Sequence, residues 1–116
     1  MLLSDNFFEN NPFSWKKNKK HSIFVKCFDK LSNYHYKNCT KYKNIMDSLD
    51  MFKNPINKLD QFPYLPVNVF KNDEYITGPK KNIFKTLHSS GTSGNNFTKI
   101  FLSRENAALQ AKVLAK

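Results

Sequence analysis

Arginine is nearly missing. Of 19 basic residues only Arg104 is an arginine; the others are lysines, strewn along the chain beside many asparagines. The net charge of +10 would suit a nucleic-acid binder. Bidentate recognition of bases and phosphates favours arginine, however, so a lysine-borne charge reads more simply as a solvated surface, and no nucleic-acid partner is expected. Long apolar runs are missing too. None approaches the roughly 18 residues that span a membrane. The opening "MLLSDNFFENNPF" has no basic segment followed by an apolar one, so it does not read as a signal peptide. Without such a leader, the 2 cysteines read as reduced thiols in a cytoplasmic protein. Glycine is the third scarcity: there are 3 in 116 residues, and 2 of them, Gly91 and Gly94, fall in one short loop.

What is present suffices for a core. Apolar residues make up 40% and aromatics 15%, with 11 Phe, so the composition is not that of a disordered chain. The length predicts one compact domain. Residues 1–20, with Asn10-Asn11-Pro12 and then "KKNKK", read as an irregular or briefly helical lead-in. From His21 the apolar residues recur at helical spacing: Ile23, Phe24, Cys27, Phe28 and Leu31, then Tyr34 or His35, Cys39, Tyr42, Ile45, Met46 and Leu49. That predicts one helix over roughly 21–49, or two with a break near Ser32-Asn33. Pro55 stops any continuation. Pro63 and Pro66 force extended backbone around Tyr64 and Leu65. Val67 to Phe70 reads as a short strand, "TGPKK" as a turn, and Ile83–His88 and Phe97–Leu102 as two further strands. Ser103 is a fitting N-cap for a final helix over "RENAALQAKVLAK".

The loop between the last two strands carries the chemistry. It reads Ser89, Ser90, Gly91, Thr92, Ser93, Gly94. Glycine lets successive backbone N–H groups point into one concavity, because positive φ costs it little. Such a concavity is an anion nest. Serine and threonine hydroxyls add rotatable donors, and Lys99 adds a point charge. Together they suit a polyphosphate. The same residues also suit a plain polar hairpin turn. The loop is neither a Walker A motif nor GxGxxG.

"SSGTSG" resembles the phosphate-loop signature of the adenylate-forming superfamily, [ST]SG[ST][ST]G between two strands. With "FPYLPVNVFK", "FKTLHSSGTSG", "TKIFLSRENAALQAKVLAK" and "YHYKNCTKY", residues 21–116 look like the N-terminal part of an acyl-protein synthetase of the LuxE type, the fatty-acid ligases of bacterial bioluminescence. The resemblance implies an α/β fold, here the incomplete N-terminal part of an adenylate-forming domain. It implies that Ser89, Ser90, Gly91, Thr92, Ser93, Gly94 and Lys99 grip the phosphates of ATP, with Mg²⁺ bridging them. A fatty acid or other carboxylic acid would become an acyl-adenylate. The acyl group would then pass to a protein thiol, and on to an acyl reductase or acyl-carrier partner. The family's enzymes are much longer than 116 residues. The nucleotide's adenine site, an acidic magnesium ligand, a late lysine and the acyl-accepting cysteine belong to parts not found in this sequence. The chain is therefore expected to be a fragment without catalysis of its own.

Other constellations compete poorly. His21, Cys27, His35 and Cys39 are four potential zinc ligands, but their spacing lacks any C-x-x-C. A hydrolase reading of His88 beside Ser89 fails because strand neighbours point to opposite faces and G-x-S-x-G is absent. Two readings remain open: a piece of an acyl-adenylating ligase, or a non-catalytic basic binding module, or remnant, whose loop is an ordinary turn.

Overall fold

The computed structural model describes residues 11, 13–89 and 97–115. The chain forms two compact units, one ending at Pro63 and one beginning at Tyr64. Around the boundary, residues 63–66 belong to no helix or strand, as the two prolines require.

The first unit is helical. Asn11 starts it with an Asx turn: its Oδ1 accepts the Phe13 N–H at 2.9 Å and its carbonyl accepts the Ser14 N–H at 3.0 Å. Helix α1 is Lys17–Asn38 and α2 is Thr40–Ser48. The break falls at Cys39, not at Ser32-Asn33. Cys39 takes extended backbone (φ −131°, ψ 101°), yet its N–H still donates to the His35 carbonyl and its own carbonyl accepts from Lys43. One extended residue thus turns the chain while its own N–H and carbonyl both stay bonded. The helices pack on each other around Cys39, 5% exposed, and Met46, 1% exposed. Ile23, Cys27, Leu31, His35, Tyr42 and Ile45 of the expected stripe are half-buried, whereas Phe24, Phe28, Tyr34 and Leu49 are largely exposed. Ring contacts of Tyr36 with Phe52 and of Phe28 with Phe62 extend the core. Helix α2 ends in a Schellman motif. Asp50 is left-handed (φ 53°), its N–H donates to Asp47, and the Met51 N–H reaches back to the Met46 carbonyl at 3.1 Å.

The second unit is an α/β hairpin. Val67 to Phe70 does not form a strand. Residues Val69–Asn72 form a one-turn helix, α3, whose entry is fixed by hydrogen bonds from the Val69 N–H to Pro66 and from the Phe70 N–H to Val67. Proline's fixed φ starts such a turn well, and the segment packs against β2 without joining the two-stranded ladder. Gly78 supplies the positive φ (81°) of the expected turn. Strand β1 is Ile83–His88 and β2 is Lys99–Ser103. They pair antiparallel, from Lys85 with Leu102 to His88 with Lys99, with a bulge that leaves Phe84 between Ile83 and Lys85. Helix α4, Arg104–Leu114, follows directly, and the Ser103 hydroxyl caps it by accepting the Asn106 N–H at 3.2 Å. The Arg104 guanidinium lies 4.6 Å from the Phe84 ring centre, tying helix to bulge. An isolated two-stranded hairpin is marginal in water. Here α4 packs on both strands and α3 on β2.

Candidate functional site

Of the expected phosphate loop, Ser90 to Gly94 lie outside the described residues. Its two posts are described. The hairpin ladder runs one step past His88 and Lys99: the Ser89 N–H donates to the Thr98 carbonyl at 3.1 Å. An ordinary ladder would return the Thr98 N–H to the Ser89 carbonyl. Instead the Thr98 N–H goes to the Ser89 hydroxyl oxygen, also at 3.1 Å. Serine's side chain thus closes the base of the loop. Thr98 is 7% exposed, and its own hydroxyl oxygen is buried with no hydrogen-bond partner among the described residues.

Lys99 begins β2 and sits directly across from His88. Strand alternation places these two on one face and Thr98 on the other. The Lys99 ammonium is 3.6 Å from a Glu74 carboxylate oxygen, and Lys80 approaches the other oxygen at 3.6 Å. Glu74 therefore sits between two lysines, one of them the cation expected to meet phosphate. Sequence reasoning passed over both Glu74 and Thr98. Thr98 was within reach by counting the hairpin register back from Lys99. Glu74 was not, because only the tertiary fold brings it to β2 from outside the hairpin.

The remaining candidates do not converge. Among the described residues no three of His, Cys, Asp and Glu cluster where they could hold a metal ion. The zinc set of His21, Cys27, His35 and Cys39 is therefore not brought together. Cys39 is buried and Cys27 half-buried, each as a small core residue. Burial lowers the His35 pKa. Hydrogen bonds from Lys43 and Tyr36 hold the Asp47 carboxyl below its usual range. Both groups belong to the helical unit, not to the hairpin. An open hollow of about 390 Å³, lined in part by Lys81, Phe84, Arg104 and Glu105, lies at the end of the hairpin opposite the loop. Among the described residues no helix is long and apolar enough to cross a membrane.

Comparison with known proteins bears on this arrangement. The model of the acyl-protein synthetase family LuxE matches residues 2–116, and so includes the lead-in. A long-chain-fatty-acid–luciferin-component ligase of Photorhabdus luminescens is 27% identical over 92 residues, which are 79% of this chain and 78% of that protein. Nearly equal shares mean that this relative is about as long as the chain, not the much longer enzyme that the resemblance implies. No solved structure matches the chain.

Proposed function

Since the chain belongs to the LuxE family of acyl-protein synthetases, we propose that it takes part in ATP-dependent fatty-acid ligation and supplies the loop that holds the nucleotide's phosphates. The chemistry is acyl-adenylate formation. A fatty carboxylate oxygen attacks the α-phosphorus, a new P–O bond forms, and the bond to the bridging oxygen breaks. Pyrophosphate leaves with the electron pair. The acyl group can then go to a thiol.

The observation that carries this reading is the closed base of the hairpin. The two bonds between Ser89 and Thr98 hold the described ends of the hairpin connection at ladder spacing, so these two residues do not have to be ordered when a ligand binds. Backbone N–H groups from Ser90 to Gly94 are then the donors for the β- and γ-phosphates. Lys99 contributes positive charge from the adjoining strand end, once it exchanges Glu74 for phosphate. Mg²⁺ travels with ATP and would draw charge off its phosphates; this chain's part is to bind and orient them. Cys27 and Cys39 take no acyl group in this reading; within the helical unit Cys39 is buried and Cys27 half-buried, each as a small core residue.

The test is to incubate the full chain with MgATP and a long-chain fatty acid. ATP should bind and be recovered unconverted, since the loop only orients phosphates, and the resemblance places the groups that hold the adenine and the magnesium outside these 116 residues. Failure to bind ATP would refute the phosphate-loop reading. Acyl-AMP detected by mass spectrometry would overturn the assignment of a purely phosphate-holding role to these 116 residues.

A further inference from the structure

We propose that a row of four lysines on α1, Lys19, Lys26, Lys30 and Lys37, docks the helical unit side-on against an anionic lipid bilayer. The row lies wholly in the first unit and is independent of the phosphate loop.

Helical geometry makes the row. At about 3.6 residues per turn, Lys19 and Lys37 fall on one line along α1, and Lys26 and Lys30 lie within about 20° of it. The line is about 27 Å long. It runs about 100° round the helix from the half-buried Cys27 and Leu31. All four lysines are exposed. Among the described residues none of them pairs with a carboxylate. Asp29, the one acid of α1, is bonded instead to the Asn33 side chain at 3.1 Å.

The start of the helix adds to the charge. Helices favour acids in the first turn, beside the positive end of the dipole. Helix α1 has none there: Lys17, Lys19 and Lys20 take those places, after the exposed Lys16. This costs helix stability and strengthens the attraction for anions. Two rings stand at the same end. Trp15, the chain's single tryptophan, lies 5.1 Å from the Lys19 ammonium. Phe13, 89% exposed, lies 5.9 Å from that of Lys20.

Charge complementarity and shape choose the partner. A straight row on a cylinder meets a flat surface along its whole length. An anionic bilayer is flat, its headgroups are mobile, and it attracts lysine without the bidentate geometry that lysine lacks. A protein partner would need carboxylates fixed at the row's own spacing. Lysines beside a tryptophan and an exposed phenylalanine also make up the composition of a membrane interface. Helix α1 is not long and apolar enough to cross the bilayer, so it adsorbs by charge.

The experiment mixes the full chain with vesicles of phosphatidylcholine, alone or with about 30% phosphatidylglycerol. Sedimentation measures partitioning, and Trp15 fluorescence reports contact at the end of the row. The anionic vesicles should bind the chain and shift Trp15 emission to the blue. Neutral vesicles should bind at least about tenfold more weakly, and high salt should release the chain. Lys30→Gln should lower partitioning by about fivefold, and Lys26→Gln with Lys30→Gln and Lys37→Gln by roughly that factor per lysine. The control, Lys71→Gln with Lys81→Gln and Lys85→Gln, removes equal charge from exposed sites in the second unit and should stay within about threefold of native. Thermal unfolding at the native midpoint separates a lost surface from a lost fold. Equal losses in the two triple variants would overturn the proposal, because net charge alone would then act. So would a native chain that ignores anionic vesicles. Row-dependent binding to polyglutamate without vesicle binding would assign the row to an acidic protein, and overturn it too.

Discussion

Glu74 holds Lys99 at 3.6 Å, carboxylate oxygen to ammonium, on the strand that leaves the candidate phosphate loop. The same carboxylate meets Lys80 through its second oxygen. Both pairs are well exposed, so each contributes little to stability. Their consequence is electrostatic. A negative charge beside Lys99 repels a polyphosphate and competes for its cation. Glu74→Gln should therefore tighten ATP binding by about twofold to fivefold at low salt, with a smaller gain at high salt. Calorimetric titration checks this. Weaker binding in the variant would mean that Glu74 positions Lys99 for the ligand.

The buried Thr98 hydroxyl has no hydrogen-bond partner among the described residues. A polar group desolvated without compensation is a cost, and valine has nearly the same shape without it. Thr98→Val should leave urea stability unchanged or raise it by about 1 kcal/mol. A loss of more than about 1 kcal/mol would show that the hydroxyl bonds to something in the folded protein.

Asp50 closes α2 in a left-handed conformation that glycine adopts without strain. Asp50→Gly removes that strain and loses only an exposed ion pair with Lys53. The expected change is a stabilisation of about 0.5–1 kcal/mol, reduced by glycine's greater freedom in the unfolded chain. The urea midpoint measures it. A lower midpoint would mean that the Asp50–Lys53 pair outweighs the backbone strain.

His35 gives the helical unit a pH dependence of definite sign. It is half-buried, with ring contacts to Tyr34 and Tyr42, and burial lowers its pKa below the ordinary 6.5. Between the folded and unfolded pKa values the unfolded chain binds more protons, so stability rises with pH across that window. The contribution is complete above about pH 6.5, falls away as pH drops below it, and levels off beneath the folded pKa. Asp47, also lowered, acts only in the more acidic window below 3.8. Urea midpoints at about pH 7.5 and about pH 5.5 should fall with acid in the native chain and stay nearly level in His35→Phe. Equal slopes would remove His35 from the account.

How far the sequence was legible depends on the range of the cause. Ser103 was readable as a cap and Ile83–His88 as a strand, because caps and alternation are local. Val67 to Phe70 was misread because a β-rich tetrapeptide after proline also suits one helical turn, which the hydrogen bonds from Val69 to Pro66 and from Phe70 to Val67 close here. The helix break falls at Cys39, inside the run Asn38-Cys39-Thr40 of weak helix formers, a local signal that was passed over in favour of Ser32-Asn33. In the site, the loop's composition points to an anion nest, an expectation that falls on residues outside the described ones. The bond from Thr98 to the Ser89 hydroxyl, and the reach of Glu74 to Lys99, exist only once the hairpin is paired and packed.

The measurement closest to the central claim is phosphate selectivity. ATP, pyrophosphate and AMP should be titrated separately into the full chain, following the amide signals of Ser89, Thr98 and Lys99. If the loop holds the β- and γ-phosphates, ATP and pyrophosphate will shift these signals and compete with each other, and AMP will bind at least about tenfold more weakly. AMP binding as tightly as ATP, or no response to any of the three, would contradict the account.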